Sequence, residues 1–313
     1  MRTLTVFTPA YNRAHLLPRL YQSLCNQTCR DFCWLIVDDG SSDNTRELVQ
    51  LWIEENKIPI RYEYKPNGGM HTAHNLAYRL IDTEINTCID SDDYMPIDAV
   101  EKIVSFWKKN GSDRVNGIIG LDADTKGNII GSRLPDDKKT MTLTDFYHFG
   151  GTGDKKLVYR TAVMKDLPEY PVFEGEKYVG LGYKYMLADL HRPMLLMNEV
   201  LVYVDYQPDG SSGTMWKQYG RHPQGFAFLR RETMKHHPYL KERFIAAIHH
   251  VSSCIYFHRN PIKDSPCPLL SLPAFPFGLL LHGLIAIMRR SGKYAEPTLQ
   301  NRAKNGLTSE DTE

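Results

Sequence analysis

The 313-residue sequence lacks several features that mark other classes of protein. No Gly-x-Gly-x-x-Gly run follows a predicted strand, which argues against a nicotinamide-binding enzyme. The N-terminus has no long apolar stretch of the signal-peptide kind. The six cysteines, at 25, 29, 33, 88, 254 and 267, show no paired framework and no common zinc spacing. We therefore expect reduced thiols that fill space in a cytosolic protein.

The sequence also has little net charge, +1 in total, but its basic residues are unevenly placed. Nine Lys or Arg and two acids lie between Lys217 and Lys263. A solvated helical face explains this segment, and an anionic membrane or a diphosphate-bearing partner is the alternative. Nucleic acid is not expected as a partner, because the segment has no base-reading motif and its aromatic residues, Tyr219, Phe226 and Phe228, suit core packing.

Short apolar runs alternate with amphipathic stretches over the first 110 residues. The pattern predicts strands at 3–8, 32–37, 60–64 and 85–89, with helices at 16–27, 46–55, 72–80 and 97–109. Strands that alternate with helices through short links indicate an α/β fold. We expect a doubly wound, mostly parallel sheet, followed by a C-terminal helical extension.

Beyond residue 110 the alternation changes. Residues 117–121 and 128–132 predict a hairpin around 125–127, residues 156–159 and 200–204 predict further strands, and residues 216–257 have a helical pattern. The run 268–288 is apolar, but three prolines and His282 interrupt it, so we do not expect a clean spanning helix. It is either an interfacial or re-entrant membrane segment or a helix packed on the main domain. His249 and His250 do not share a helix face, so we expect surface or hydrogen-bonded histidines and no metal site there.

Two acidic clusters follow predicted strands. Asp38 and Asp39 end the second strand, and residues 90–93, Asp-Ser-Asp-Asp, follow the fourth. Since ligands bind in open α/β sheets at the carboxyl ends of the strands, both clusters are expected to face one crevice. Crowded carboxylates become useful when a hard divalent cation and its phosphate ligands lie between them. The clusters predict a metal-dependent site for a nucleotide diphosphate compound, and the alternative for residues 90–93 is capping of the next helix, by Asp93 above all.

Three motifs, at residues 8–13, 37–43 and 90–93, resemble those of the family 2 glycosyltransferases of the GT-A fold, in particular the bacterial capsule and surface-polysaccharide type. The resemblance covers roughly residues 1–205. It implies an enzyme that moves a sugar from a nucleotide diphosphate donor to a hydroxyl with inversion. It also implies that Asp39 contacts the base, for which uracil with its imide N–H is suited, and that Asp90 serves the ribose. The implied donor contacts are Thr8, Pro9, Tyr11, Arg13, Asp38, Asp39, Asp90 and Ser91, and Asp92 is the implied ligand of Mn²⁺ or Mg²⁺.

The segment 67–75 resembles a donor-side segment of the family in which a lysine is usual, and Met70 takes that place here. This removes one positive charge from near the phosphates. His71 and Asn75 remain candidates for donor contacts. The alternative is a plain helix start in which His74 is merely exposed.

The catalytic base is expected later in the chain, because inversion requires a group that takes the acceptor's proton. Residues 173–178 resemble a segment of the surface-polysaccharide members, and many of those have a further glutamate where Leu181 stands here. Glu176 is our candidate base and Glu174 its rival, while exposed loop acids are the alternative. Residues 153–156 and 209–212 also match that subgroup and are expected on the acceptor side.

These features predict three parts. Residues 1–205 form the GT-A domain, with nucleotide-sugar binding in 1–110 and the acceptor side in 111–205; residues 206–292 form a helical, membrane-associating extension, and 293–313 a loose polar tail. The expected acceptor is a lipid-linked glycan at the inner face of the cell membrane. A nucleotidyltransferase is disfavoured because the loop 9–13 has a single basic residue, and a non-catalytic nucleotide-sugar-binding protein is supported only by Met70 and Leu181.

Overall fold

The computed structural model describes residues 2–207 and 215–290. The predictions for residues 209–212 and for the polar tail 293–313 lie outside this part of the chain. The chain divides into two compact units: the first is Met1–Glu169 with Lys184–Gln207, and the second takes in Tyr170–Tyr183 and the chain beyond Gln207. The segment 170–183, which the sequence grouped with the first domain, thus belongs with the C-terminal helices.

The first unit contains an eight-stranded sheet with the strand order β3-β2-β1-β4-β7-β5-β8-β6. Its strands are β1 (Leu4–Ala10), β2 (Phe32–Asp38), β3 (Ile60–Tyr64), β4 (Ile85–Cys88), β5 (Gly117–Asp124), β6 (Thr140–Met141), β7 (Lys155–Arg160) and β8 (Met194–Val204). Its helices are α1 (Leu17–Cys25), α2 (Thr45–Glu55), α3 (Met70–Leu80), α4 (Ala99–Asn110), α5 (Leu143–His148), α6 (Thr161–Asp166) and most of α7 (Gly182–Asp189).

The strand directions confirm the predicted doubly wound, mostly parallel sheet. Strands β1 to β4 are mutually parallel, β7 runs antiparallel to both β4 and β5, and β5 is parallel to β8. From β1 the chain winds outward through β2 to β3, and it then returns to place β4 on the other side of β1. This reversal is a topological switch point between β1 and β4, and in open α/β sheets ligands bind at the carboxyl ends of the strands beside such a point.

Apolar side chains explain why β1 and β2 lie in the centre of the sheet. Every residue of β1 is buried, as is all of β2 except Cys33. Tyr21 of α1 stacks on Trp52 of α2 with ring centroids 4.3 Å apart, and Trp34 of β2 stacks on Trp52 at 5.9 Å. Stacked aromatic rings contribute beyond their buried area, so this cluster fixes α1 and α2 on the sheet.

Strand β1 extends through Pro9, where the prediction ended it. The Ala10 carbonyl accepts a hydrogen bond on the β2 side, and the Phe7 carbonyl accepts one on the β4 side. Because backbone groups alternate between the two sides of a strand, the nitrogen of Pro9 faces the β4 side. The pairing of β1 with β4 ends at Phe7. Because the missing N–H of Pro9 lies beyond that pairing, the proline removes no ladder hydrogen bond.

The predicted hairpin at 117–132 is only half present. Strand β5 reaches Asp124 and the chain turns back, with Asp124 N–H donating to the Asn128 carbonyl at 2.8 Å. The return segment forms a single bridge from Ile129 to Ala123 and is not a strand. Gly131, at φ +70°, lies so close to Thr152 that a Cβ would be 2.1 Å from its carbonyl oxygen. The return segment therefore packs on the 152–153 loop and leaves β5.

The second unit is helical. The predicted helical stretch 216–257 consists of α8 (Met215–Arg221), α9 (Pro223–His236) and α10 (Leu240–Tyr256), and α11 (Pro268–Arg290) follows. Helix α11 runs unbroken through Pro273 and Pro276, so the expectation of an interrupted segment is wrong. Each proline lacks the backbone N–H that would donate within the helix. Close packing of α11 on α10 offsets this loss: Gly278 lies so near Val251 that an added Cβ would be 2.4 Å from it.

One side of α11 is apolar and exposed. Ser271, Ala274 and Ile285 are buried, whereas the exposed residues are Leu269, Leu272, Phe277, Leu279, Leu280, Leu284 and Ile287. By length and composition, the stretch Pro268–Met288 is sufficient to cross a membrane. A packed face and an exposed apolar face thus coexist on one helix.

Candidate active site

Asp38 and Asp39, at the end of β2, are buried and hydrogen-bonded. Asp38 accepts from the backbone N–H of Ser41 at 2.7 Å and from the Tyr62 hydroxyl. Asp39 accepts from the backbone N–H groups of Gly68 at 2.9 Å and Gly69 at 2.7 Å. Lys65, directly after β3, also donates its ammonium to Asp39. A carboxylate offers about four acceptor positions, so Asp39 retains capacity for one more donor.

Three loops are joined around these carboxylates at the carboxyl edge of the sheet. Asn12, at φ +54°, accepts through its side chain from Ser42 N–H at 2.8 Å, and its own N–H donates to the Ser41 hydroxyl at 2.9 Å. Gly40, at φ +84°, lies against the third loop, where a Cβ would be 2.6 Å from the Asn67 nitrogen. Glycine is required there both by the backbone angle and by the close approach.

The second acidic cluster follows β4, on the other side of β1. Asp90 is exposed and Asp92 is half-buried. Burial is the main cause that raises the pKa of Asp92, and the negative charge of Asp90 adds to it. The positive charges of Arg13 and Arg19 lower this pKa. Arg19 donates to the backbone carbonyl of Asp92 and pairs with Asp205 at 2.7 Å. A cation between the carboxylates would relieve their repulsion, and oxygen-only ligands suit Mg²⁺ or Mn²⁺.

Helix capping does not explain this cluster. Helix α4 begins at Ala99 with Asp98 as its N-cap, so residues 90–93 lie well before it. Asp93 instead accepts from the backbone N–H of Asp205 at 3.1 Å. Burial raises the pKa of Asp93 to about 7, against the lowering effect of Lys156. The capping alternative for Asp93 is therefore wrong.

The sequence interpretation missed Lys156 and Asp122, which the sheet brings to the same acids. Lys156 on β7 donates its ammonium to the Cys88 carbonyl at 3.1 Å. Asp122, Asp93 and Asp90 together raise the pKa of Lys156 to about 12, in spite of its burial. Burial raises the pKa of Asp122. Asp122 lies within β5, which ends at Asp124, so the strand-end position that identified Asp38 and Asp90 does not single it out.

The remaining donor-side candidates differ in exposure. Tyr11 is 48% exposed at the sheet edge, whereas His71 and Asn75 are buried in the first turns of α3. Pro9 and Ser91 are buried, and Arg13 is half-buried. Thr8 is fully buried, and its hydroxyl accepts from the Trp34 indole N–H at 3.0 Å.

His74 is fully buried, so the alternative of an exposed His74 is wrong. It lies edge-on to Phe7 with ring centroids 5.0 Å apart, and burial lowers its pKa to about 3. Met70 is exposed at the place of the usual lysine. Lys65 does supply a cation to this region, but it is bound to Asp39.

Glu174 and Glu176, the candidate bases, belong to the second unit. Glu174 is exposed. Glu176 is buried, so the exposed-acid alternative does not apply to it, and its two oxygens accept from the N–H groups of Gln224 and Gly225, each at 2.9 Å. These amides belong to the first turn of α9. Burial raises the pKa of Glu176, and the two amides oppose that shift.

Comparison with known proteins gives a coherent result. Chondroitin synthase of Pasteurella multocida (strain Pm70) is 39% identical over 106 residues, which are 34% of this chain and 11% of that protein. Poly(ribitol-phosphate) beta-N-acetylglucosaminyltransferase TarP of Staphylococcus aureus (strain N315) is 27% identical over 124 residues, 39% of this chain and 38% of that protein. The chain thus spans well under half the length of either relative.

The fold is also found among solved structures. The crystal structure of S. aureus TarS 1-349 superimposes with a TM-score of 0.62 at 17% identity, and the match covers 93% of this chain and 92% of that chain. The model of the family described as "Glycosyl transferase family 2" matches residues 5–167, just over half of the sequence. This stretch includes β1 from its second residue, β2 to β4 and both acidic clusters. The chain therefore belongs to glycosyl transferase family 2 and has the GT-A fold.

Proposed function

We propose that this chain is an inverting glycosyltransferase that moves a sugar from a uridine diphosphate donor to a hydroxyl of a lipid-linked glycan in surface-polysaccharide synthesis. The observation that carries the proposal is the position of the two acidic clusters. Asp39 follows β2 and Asp92 follows β4, on either side of β1 at the switch point of the sheet. Adjacent strands are about 5 Å apart, so the two clusters are within the span of one nucleotide sugar.

The donor end of the site is assigned to Asp39 and the loops that hold it. Its remaining acceptor position suits the imide N–H of uracil, in a charge-assisted hydrogen bond. S. aureus TarS 1-349, which shares the fold, has been crystallised with UDP and with UDP-GlcNAc. We assign Tyr11, which is exposed, to the base or ribose, and His71 and Asn75, which are buried in the first turns of α3, remain the further donor-side candidates.

The phosphate end is assigned to Asp92, which would hold Mn²⁺ or Mg²⁺, and Asp90 is assigned to the donor ribose. The bound ion would supply stabilisation of the charge that develops on the leaving diphosphate. The charge of Lys156 partly neutralises Asp90, Asp93 and Asp122. It thereby reduces the repulsion among these carboxylates before a donor binds.

Transfer requires a base, and Glu176 is the proposed one, with Glu174 as its rival. The acceptor oxygen attacks the anomeric carbon as the bond to the diphosphate breaks, and the hydroxyl proton passes to the carboxylate. Burial raises the pKa of Glu176, which makes its carboxylate a stronger proton acceptor than an exposed glutamate. Its two backbone contacts hold the side chain in one orientation.

The proposed setting is the cytoplasmic face of the membrane, with the exposed side of α11 in contact with lipid. Leu269, Leu272 and Leu280 are 92%, 65% and 65% exposed. Apolar side chains on one face of a helix, next to a segment rich in Lys and Arg, are typical of peripheral contact with anionic lipid. Such contact would bring the enzyme to a lipid-linked acceptor.

A transfer assay tests the proposal. The full chain is incubated with a panel of UDP-sugars, lipid-linked or free glycan acceptors, and Mn²⁺ or Mg²⁺, and both released UDP and the glycan product are measured. We expect metal-dependent UDP release that an acceptor accelerates. Pyrophosphate release from a nucleoside triphosphate would favour a nucleotidyltransferase instead. UDP binding without turnover across the panel would favour a binding protein.

A further inference from the structure

We propose that His250, Cys254 and Asp264 form a zinc-binding site in the second unit. The three residues lie on the last turns of α10 and in the connection from α10 to α11. One ligand atom from each comes within 4.8 Å of the others. The site goes beyond the glycosyltransferase activity and needs none of the donor-binding residues.

The geometry suits a tetrahedral ion. His250 and Cys254 are four residues apart and share one face of α10, with Nε2 of the histidine 3.4 Å from Sγ of the cysteine. Sγ is 3.9 Å from Oδ2 of Asp264. Ligand atoms bound to Zn²⁺ at the usual bond lengths are roughly 3.3–3.8 Å apart, so small rotations complete the arrangement.

Neighbouring groups orient the aspartate ligand. Asp264 pairs with Arg231 at 2.8 Å, Arg259 lies 3.9 Å from the same oxygen, and the Asp264 N–H donates to the Asn260 carbonyl at 2.9 Å. Both arginines contact Oδ2, the oxygen that lies 3.9 Å from Sγ, so the ion would have to share this oxygen with them.

The donor set selects the metal. One thiolate, one imidazole and one carboxylate suit the borderline-soft Zn²⁺ and not the Mg²⁺ or Mn²⁺ proposed for the acidic clusters. His250 and Cys254 are 1% and 2% exposed, so a thiolate there needs a bound cation. Binding would release the thiol proton to solvent and leave a fourth coordination position for water.

The expected consequence is a clamp on the connection between α10 and α11. Residues 257–267 form this connection, and Asp264 is its only member in the cluster. A metal bound to both α10 and Asp264 would hold the connection against α10. Because it binds only the folded state, it would stabilise the packing of α11 on α10. The sequence contains His250 and Cys254 one helical turn apart. The metal hypothesis in the sequence analysis concerned a different pair, His249 and His250.

Zinc and cobalt binding to the full chain test the site. After removal of metal with a chelator, the chain is titrated with Zn²⁺ against a chromophoric competitor, and with Co²⁺ in the near ultraviolet. We expect one equivalent of Zn²⁺ per chain, a thiolate-to-cobalt charge-transfer band, and a rise in Tm that chelator reverses. Absence of the band in the unmodified chain would overturn the proposal, and this reading does not depend on any variant folding.

Matched variants assign the ligands. Cys254→Ser is expected to abolish the charge-transfer band and to weaken Zn²⁺ binding at least about tenfold. Cys267→Ser is the control, because its thiol lies in the same unit but contacts the Met234 carbonyl at 3.4 Å. His250→Gln should weaken binding while His249→Gln, whose imidazole contacts the Tyr219 hydroxyl at 2.7 Å, should not. Equal binding by Cys254→Ser and Cys267→Ser would refute the assignment.

Discussion

Each of the two units contains a buried carboxylate that accepts from two consecutive backbone amides. Asp39 accepts from Gly68 and Gly69, and Glu176 from Gln224 and Gly225. The settings differ. Asp39 also binds Lys65 and lies where three loops meet at the edge of a parallel sheet, whereas Glu176 accepts from the first turn of α9. The same local contact therefore indicates a ligand site in one unit and equally suits helix capping in the other.

The largest effect is expected in the unit that contains Asp39. Asp92→Asn should lower kcat about 1000-fold, because the amide is a poor ligand for the cation that balances the leaving diphosphate. Steady-state transfer at several Mn²⁺ concentrations measures this. Asp137→Asn, on an exposed loop, is the control and should be neutral. Full metal-dependent turnover by Asp92→Asn would remove the core of the mechanism.

Glu176→Gln decides what the carboxylate in the second unit does. As the base, its loss should lower kcat at least about 100-fold with little change in the affinity for UDP. As a cap alone, its loss should cost about 1 kcal/mol of unfolding free energy and leave kcat unchanged. Kinetics and thermal unfolding of Glu176→Gln and Glu174→Gln separate the two roles. A fall in kcat for Glu174→Gln only would transfer the base to the exposed rival.

Asp39→Asn is expected to weaken UDP binding about 30-fold, which corresponds to the loss of about 2 kcal/mol from a charge-assisted hydrogen bond. The variant also leaves Lys65 without its carboxylate. Lys65→Met separates these effects, since it should lower stability more than UDP affinity. Calorimetric titration with UDP measures the affinity of each variant, and thermal unfolding measures its stability. Unchanged affinity in Asp39→Asn would contradict the assignment of the base contact.

Much of the first unit could be predicted because its strands are short apolar runs with carboxylates at their ends. Strand β1 and the position of Asp39 follow from local sequence alone. Lys156 and Asp122 were missed because their approach to Asp90 depends on the antiparallel insertion of β7 between β4 and β5, which joins residues far apart in sequence. Strand pairing of that range has no local signal.

In the second unit, local rules led to the wrong result for α11. Pro273 and Pro276 argue against a continuous helix, yet the packing of Gly278 on Val251 keeps it intact. The hydrogen bond from Gln224 to Glu176 joins residues about fifty positions apart, and local sequence patterns could not predict it. Tertiary packing therefore decided the structure there, and hydrophobic patterning could not reveal it.

The exposed side of α11 offers a smaller test of the second unit. Leu272→Gln combined with Leu280→Gln should weaken binding to anionic lipid vesicles about tenfold, because each leucine loses part of its transfer free energy. The control is Leu51→Gln with Ile97→Gln, which changes apolar residues 58% and 61% exposed in the first unit. Vesicle sedimentation measures the affinity. Equal binding by both double variants would exclude α11 as the lipid contact.

The smallest effect concerns the loops around Asp39. Gly40→Ala and Gly127→Ala both place a Cβ at a positive φ, +84° and +87°, but only at Gly40 does the Cβ meet a neighbour within 4 Å. We expect Gly40→Ala to cost about 1 kcal/mol more unfolding free energy than Gly127→Ala. Denaturant unfolding measures the difference. Equal losses of unfolding free energy would show that Asn67 can move away from an added Cβ at Gly40 at little cost.

The most direct test is calorimetric binding of UDP to the full chain with and without Mn²⁺, repeated with Asp92→Asn. If Asp39 and Asp92 bind one donor through a shared cation, Mn²⁺ should tighten UDP binding at least about tenfold, and Asp92→Asn should abolish that gain while residual metal-free binding persists. UDP affinity that is the same with and without Mn²⁺, and unaffected by Asp92→Asn, would contradict a common site for the two acidic clusters.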